Sequence, residues 1–317
     1  MPMPKLPLPR FNWFAAHPHT PPRGAAGGRA PSRRWQQRGG LCAALLALAL
    51  AGSSLPVRAD EAEARYRIGL DYKRKGDVMR AIAEIRSAIN LRPDHAAAHM
   101  SLGGLLLDTN TYPEALKHFE RAIALSPQHA PAYALAGVTL LRLKRYEDAV
   151  PRLKKAIELD PQDGQSVSNL GLALRQLNRN AEAIALMEEA LKKQPNDAEL
   201  CNNLGVALRK ERRYEEAIVY FERATKLRPE EVSFERNLAI ALRSAERYAE
   251  ATTRYESVVK RSPTDAGAHY DLANCYEKLG KLDEAAKAYE KYAGLVRLKD
   301  PKGAQRADER AESLKHP

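Results

Sequence analysis

Residues 198–231 read AELCNNLGVALRKERRYEEAIVYFERATKLRPEE, and the pattern of this stretch recurs every 34 residues along the chain. The stretch before it, residues 164–197, reads GQSVSNLGLALRQLNRNAEAIALMEEALKKQPND, with Asn-Leu-Gly, Ala-Leu-Arg and a proline at the same offsets. Outward from these two stretches the proline recurs at Pro93, Pro127, Pro161, Pro195, Pro229 and Pro263. A fixed period of roughly 20–50 residues indicates an architecture of stacked repeats.

Small residues recur in phase with the prolines. Seven units of 34 residues follow one another as 62–95, 96–129, 130–163, 164–197, 198–231, 232–265 and 266–299. Position 8 of these units is small throughout, as Gly69, Gly103, Gly137, Gly171, Gly205, Ala239 and Ala273. Position 20 is alanine throughout, as Ala81, Ala115, Ala149, Ala183, Ala217, Ala251 and Ala285. Large apolar residues in the same units are spaced three and four positions apart, which is the spacing of the buried face of a helix. Each unit is therefore predicted to be two closely packed helices joined by a turn.

The pattern resembles the tetratricopeptide repeat (TPR) family over residues 62–299. The resemblance implies an all-α fold, a right-handed superhelical solenoid of helix–turn–helix units. After it, residues 300–317 are predicted to form a C-terminal capping helix and tail, because Ala304, Ala307, Ala311 and Leu314 share one helical face. The ends of a solenoid need such a cap for solubility.

Residues 1–59 differ from the repeats and are predicted to be a cleaved leader. They carry eight basic residues and no acidic residue, and an apolar stretch at 41–51 is followed by Val57-Arg58-Ala59. A basic flank, a short apolar core and a small-residue site are the parts of a secretory signal peptide, so cleavage is expected after Ala59. The sequence therefore predicts an exported protein, periplasmic or secreted. An uncleaved leader that tethers the chain to a membrane, and import into an organelle, are the alternatives.

Charge and motifs argue against several other classes of protein. The chain carries a net charge of +11, but the leader supplies most of it and residues 60–317 carry only +3. Binding to phosphate backbones depends on dense positive charge, so no nucleic-acid partner is expected. The apolar stretches are too short for an integral membrane span. No glycine-rich phosphate loop, nucleophile elbow or paired-carboxylate site occurs, so the sequence predicts no enzyme, no cofactor and no small-molecule substrate.

No metal site and no disulfide are expected either. His95 and His99 have the i, i+4 spacing of a metal-binding pair, but they fall in an inter-unit turn and at an inward-packing position. Cys201 and Cys275 lie two units apart. At about 10 Å per helix layer, they are too far apart for the roughly 7 Å limit between the Cα atoms of a disulfide.

Two rows of polar residues are the candidate peptide-binding site. The resemblance implies that positions 2, 5, 6, 9, 12 and 13 of each unit face a concave groove. Position 6 of units 4 to 6 supplies Asn169, Asn203 and Asn237, and position 12 supplies Arg175, Arg209 and Arg243. An asparagine amide both donates and accepts hydrogen bonds, so it can bind the backbone of an extended peptide without reading its sequence. Arginine adds a preference for carboxylates.

The asparagine row resembles the ladder in the repeat domain of O-linked N-acetylglucosamine transferase. Asparagine is also the common residue at this position in the family. The alternative is therefore that the row reflects the family's usual sequence pattern and has no role in binding. The carboxylate clamp of co-chaperone repeats is not matched, since Ser168, Leu172 and Ser233 stand at positions where that clamp needs other residues. A second candidate surface, for a partner helix or for the leader-proximal segment, is the apolar groove of units 2 and 3. It is formed by Met100, Leu107, Leu135, Val138 and Leu141.

Together these features predict an exported, non-catalytic scaffold that binds proteins or extended peptides, in the assembly of an envelope or a secretion machine. The alternative is a non-catalytic regulatory subunit of an enzyme complex, such as a glycosyltransferase.

Overall fold

The computed structural model describes residues 54–315, with side chains from residue 58 onward. Within this range the chain forms fifteen α-helices and no strand. They are α1 (Ser54–Arg74), α2 (Val78–Leu91), α3 (Ala96–Asp108), α4 (Tyr112–Leu125), α5 (Ala130–Arg142), α6 (Tyr146–Leu159), α7 (Gly164–Gln176), α8 (Asn180–Lys193), α9 (Ala198–Lys210), α10 (Tyr214–Leu227), α11 (Val232–Ser244), α12 (Tyr248–Arg261), α13 (Ala266–Lys278), α14 (Leu282–Val296) and α15 (Pro301–Lys315). None of these helices is long and apolar enough to cross a bilayer.

The helices keep the 34-residue register of the sequence. The first helix of each unit from unit 2 onward begins at the first residue of that unit, from Ala96 to Ala266. The second helices of units 1 to 6 end two residues before the recurring proline, as α2 does at Leu91 before Pro93. The residue before a proline is driven out of the helical region, and the proline ring cannot continue the hydrogen-bond ladder.

Aspartates fix the start of several first helices. Asp163, Asp197 and Asp265 each stand directly before a first helix and accept a hydrogen bond from a backbone N–H in its first turn. The bond from the Leu200 N–H to Asp197 is 3.0 Å long. Because the first N–H groups of a helix have no partner inside it, these caps define where the groove-lining helices α7, α9 and α13 begin.

The small residue at position 8 lets the two helices of a unit touch. A Cβ placed on Gly103 would lie 2.7 Å from the ring of Phe119, and one on Gly205 would lie 2.8 Å from the ring of Phe221. Both phenylalanines are fully buried. Each unit alone leaves one apolar face open, and stacking covers it. One continuous apolar cluster accordingly runs from Leu140 in unit 3 to Cys275 in unit 7.

The last helix closes the stack. Helix α15 packs against α14 and buries the predicted face, Ala304, Ala307, Ala311 and Leu314, in one cluster with Tyr289. Its opposite face is charged and exposed, as a solenoid end requires.

The predicted leader lies almost wholly outside the described residues. Only residues 54–59 fall within them, and these form the first turns of α1. The expected cleavage point after Ala59 is thus inside a continuous helix. The two cysteines of the described part are both buried, free thiols, Cys201 and Cys275, and burial raises the pKa of each.

Candidate functional site

The two predicted rows lie on three successive first helices. Helix α7 carries Asn169 and Arg175, α9 carries Asn203 and Arg209, and α11 carries Asn237 and Arg243. On each helix the two residues are six positions apart, or about 9 Å along the axis. The sequence predicts three equivalent pairs, but the side chains make different contacts in each unit.

In unit 4, Arg175 bonds to the next helix. Its side chain is only 6% exposed, and its Nη1 donates to the backbone carbonyl of Asn203 at 3.1 Å. Burial, together with repulsion from Arg209, lowers the pKa of Arg175 to about 10. The guanidinium therefore joins α7 to α9 and is largely withdrawn from solvent.

In unit 6, Arg243 pairs with a carboxylate of the following unit. Its Nη2 lies 3.5 Å from Oδ1 of Asp271, whose other oxygen accepts a 3.2 Å hydrogen bond from the hydroxyl of Tyr255. Burial raises the pKa of Asp271. Burial is the largest single effect on Arg243 and lowers its pKa. The charge of Asp271 and the contributions of Tyr255 and Cys275 together outweigh burial, so the net shift is upward. Asp271 and the fully buried Tyr255 are partners of Arg243 that the sequence interpretation did not name.

In unit 5, Arg209 has no such partner. It is half-buried, its Nε is sealed from solvent, and it makes no hydrogen bond or carboxylate contact with any described residue. Burial lowers its pKa, and the nearby charges of Arg243 and Arg236 act in the same direction. Arg209 is thus the member of the arginine row that is left without a bond.

The three asparagines differ in the same way. Asn169 is only 4% exposed and accepts a long 3.5 Å contact from the side chain of Gln165. Asn237 donates to Oδ1 of Asn202 at 2.8 Å. The side chain of Asn203 is half-buried and has no hydrogen bond to any described residue. The amide and the guanidinium without partners therefore lie on one helix, α9.

The apolar surface of units 2 and 3 is mostly closed. Met100 and Leu135 are each 8% exposed and Leu141 is 6% exposed, while Leu107 and Val138 are half-buried. These side chains belong largely to the core and present little open apolar area to a partner.

The histidines of units 1 and 2 make local contacts. His95 Nε2 lies 3.3 Å from a Glu63 carboxylate oxygen. His99 Nε2 donates to the Pro93 carbonyl at 3.1 Å, and its Nδ1 lies 2.9 Å from Nδ1 of His118. Since the carbonyl can only accept, His118 is the donor in the neutral pair. No three His, Cys, Asp or Glu side chains of residues 58–315 are arranged to hold a metal ion.

An open cleft lies away from both rows. It is lined by the turn between units 4 and 5, residues 194–198, and by Leu227 and Arg228 at the end of α10. None of the six predicted groove residues lines it.

In the described part of the chain, fourteen helices stack as seven pairs and a fifteenth caps them. That arrangement defines a helical-repeat protein, a class of scaffold for protein interactions. Two family models match the sequence. The tetratricopeptide repeat model matches residues 66–130 and 236–300, and the model of the N-terminal TPR repeats region of Psidin matches residues 105–231. The chain belongs to the tetratricopeptide repeat family.

Solved structures support the same fold. A tetratricopeptide repeat protein from Parabacteroides merdae superposes with a TM-score of 0.61 at 16% identity, covering 80% of this chain and 99% of that one. PilF of Pseudomonas aeruginosa superposes with a TM-score of 0.55 at 24% identity, covering 65% of this chain and 94% of that one. YrrB, described as a TPR protein with an unusual peptide-binding site, superposes with a TM-score of 0.51 at 20% identity, covering 62% of this chain and 97% of that one. At these identities the likeness shows the fold alone. No curated protein matches the chain in sequence.

Proposed function

We propose that this chain is a non-catalytic scaffold that binds an extended segment of a partner protein along the groove of units 4 to 6. The observation that carries the proposal is the pair of polar groups without partners on α9, the amide of Asn203 and the guanidinium of Arg209. Neither the amide of Asn203 nor the Nη groups of Arg209 must break a bond to a described residue before binding a ligand. A hydrogen bond formed there can therefore contribute its net value of about 0.5–1.5 kcal/mol.

The spacing of the repeat suits an extended peptide. Successive first helices are roughly 10 Å apart, and an extended chain rises about 3.3 Å per residue. Every third peptide residue would then lie over one unit, and Asn203, whose side chain has no hydrogen bond to a described residue, would be the asparagine that meets its backbone. An amide side chain can bond to both the N–H and the C=O of that backbone, so it recognises an extended peptide backbone rather than particular peptide side chains.

The test is binding of peptides selected from a phage-displayed library of random 12-residue sequences on the purified full chain. Replacing Asn203 with Ala removes about 0.5–1.5 kcal/mol, which weakens affinity about 2- to 12-fold. Replacing Asn169, Asn203 and Asn237 together should cost little more than Asn203→Ala alone, because Asn169 is only 4% exposed and Asn237 is already bonded to Asn202.

The matched control is Asn180→Ala, because Asn180 starts the second helix of unit 4 and bonds to Glu211 outside the rows. It should leave affinity unchanged. If the triple variant keeps its circular dichroism spectrum and binds the selected peptides as tightly as the wild type, the asparagine row is not the binding site.

We also propose that the protein is exported and acts in the assembly of an envelope or secretion machine, with its leader removed after Ala59. The basic, acid-free leader and its small-residue site support this. The predicted cleavage point lies inside α1, so cleavage would have to precede folding of that helix. Mass spectrometry of the exported protein should find Asp60 at the N-terminus, and recovery of peptides containing Trp13 or Trp35 from the main exported species would contradict it.

A further inference from the structure

We propose that α9 carries a single carboxylate-binding site, in which Arg209 binds one carboxylate of the peptide and Asn203 binds the peptide backbone beside it. This inference rests on the proposed function and narrows it. The two arginine neighbours in the row hold the scaffold together, and Arg209 alone selects the ligand.

The first step is that the neighbouring arginines are already bonded. Arg175 donates to the carbonyl of Asn203 and is too buried to reach a ligand. Arg243 is paired with Asp271. The fourth arginine of this region, Arg236, lies 3.1 Å from Asp265.

The second step is that no internal carboxylate is available to Arg209. Glu199, on the same helix, lies 3.1 Å from Arg228. Glu235, on the next first helix, bonds to Arg261 at 3.0 Å and also to Ser257. Asp271 is held by Arg243 and Tyr255. The acidic side chains nearest in the register are therefore occupied.

The third step is the relation between positions 12 and 6 of consecutive units. Arg243 reaches position 6 of the next unit, where it meets the carboxylate of Asp271. Arg175 reaches position 6 of its next unit as well, where it meets the backbone of Asn203. Arg209 stands at the equivalent place, but position 6 of its next unit is Asn237, whose amide is bonded to Asn202. Arg209 thus has no carboxylate partner at the position where Arg243 has Asp271.

The chemistry of the ligand follows from the donor set. A guanidinium presents Nε–H and Nη–H in one plane and binds both oxygens of a carboxylate. The Nε of Arg209 is sealed from solvent, as are those of Arg236 and Arg243, so its two Nη groups are the donors that a ligand can reach. An Asp or Glu side chain and a C-terminal carboxylate offer the same two oxygens, and the experiment below separates them.

The experiment measures fluorescence anisotropy with three fluorescein-labelled ten-residue Gly/Ser peptides. One has a central Glu and an amidated C-terminus, one has a central Gln and an amidated C-terminus, and one has a central Gln and a free C-terminus. We expect the wild-type full chain to bind a carboxylate peptide about 10- to 100-fold more tightly than the amidated Gln peptide, the range of a charge-assisted hydrogen bond. The peptide that binds more tightly than the amidated Gln peptide shows whether the site recognises a side-chain carboxylate or a C-terminal carboxylate.

Three variants locate the effect. Arg209→Gln should abolish the preference, and Arg209→Lys should keep only a weaker, salt-sensitive part of it because lysine lacks the planar fork. Asn237→Asp leaves Arg209 in place but supplies an internal carboxylate, as Asp271 does for Arg243, and should also abolish the preference. Arg179→Gln is the matched control, since Arg179 is exposed and bonds Glu182 outside the groove.

Equal binding of all three peptides to the wild type overturns the proposal, as does a preference that survives both Arg209→Gln and Asn237→Asp. If the Gln peptide still binds in an Asn203-dependent way, the peptide groove stands and only the carboxylate site is wrong. If no peptide depends on Asn203 or Arg209, the proposed function fails with it.

Discussion

Adding one methyl group to the groove-lining helices should have opposite effects in two neighbouring units. Gly205 and Gly171 both stand at position 8, but they face different side chains. A Cβ on Gly205 would lie 2.8–2.9 Å from three ring atoms of Phe221, which has no exposed area. A Cβ on Gly171 would lie 3.2 Å from Sδ and 3.3 Å from Cε of Met187. A phenyl ring is rigid, whereas a methionine side chain has three rotatable bonds and adapts.

The magnitudes follow from two opposing terms. Replacing a helical glycine with alanine stabilises a helix by about 0.5–1 kcal/mol, because glycine loses more backbone entropy on folding. Overpacking a rigid contact costs about 1–3 kcal/mol. Gly171→Ala should therefore raise the free energy of unfolding by about 0.5–1 kcal/mol, and Gly205→Ala should lower it by about 0.5–2 kcal/mol. For a chain of this size each kcal/mol moves Tm by about 2–4 °C.

Thermal unfolding followed by circular dichroism at 222 nm measures both changes, and hydrogen exchange in α9 and α10 localises the second one. The double variant Gly205→Ala/Phe221→Leu should recover part of the Gly205→Ala loss, because it removes the ring that the new methyl group meets. A Gly205→Ala protein as stable as the Gly171→Ala protein would refute the close approach of helices on which the fold argument depends.

Two further perturbations test the turns and the histidine pair. Lys144 and Arg212 have φ values of 59° and 62° at the turn position where unit 1 has Gly76 at 77°. Glycine adopts such positive φ values without strain, so Lys144→Gly and Arg212→Gly should each raise the free energy of unfolding in urea by about 0.5–1 kcal/mol. A lower free energy of unfolding would show that the backbone of these residues is not strained. Burial lowers the pKa of both His99 and His118, so as the pH falls the unfolded state takes up protons at these groups before the folded state does. The free energy of unfolding should therefore be greatest above about pH 6.5 and decrease below it. His99→Gln should flatten the dependence of the urea midpoint between pH 7.5 and 5.5, and an unchanged slope would exclude the pair as its source.

Most of the fold can be predicted from the sequence because its determinants are local or lie one helix away. The helix starts and ends follow from residues at the boundaries, such as Asp197 and the recurring proline. The close helix pairs follow from position 8 and its partner sixteen residues on, as with Gly205 and Phe221. Such short-range determinants recur along the chain: the small residue at position 8 in seven units, the proline in six, and the aspartate cap before three first helices.

The state of the candidate site could not be predicted in the same way, because it depends on the neighbouring unit. The sequence indicates a row of three arginines, but the burial of Arg175 and the isolation of Arg209 arise only when α7, α9 and α11 are stacked. One signal was present in the sequence. Position 6 of unit 7 is Asp271, so the asparagine row ends in a carboxylate, and an arginine one unit earlier could be expected to pair with it.

Arg209 and Arg243 show that equivalent positions of a periodic fold can have different contacts. They hold the same position in consecutive units, on helices of equal length with the same preceding Ala-Leu pair. What differs is the next unit. Asn237 follows Arg209 and uses its amide to bond Asn202, whereas the half-buried carboxylate of Asp271 follows Arg243 and pairs with it. Position 6 of the following unit supplies the carboxylate that pairs with Arg243, whereas Arg175 bonds to the backbone of the position-6 residue Asn203 and Arg209 bonds to neither side chain nor backbone there. If Arg209 binds a carboxylate as proposed, then Asn237→Asp, 28 residues further on, should remove that site because it supplies an internal partner.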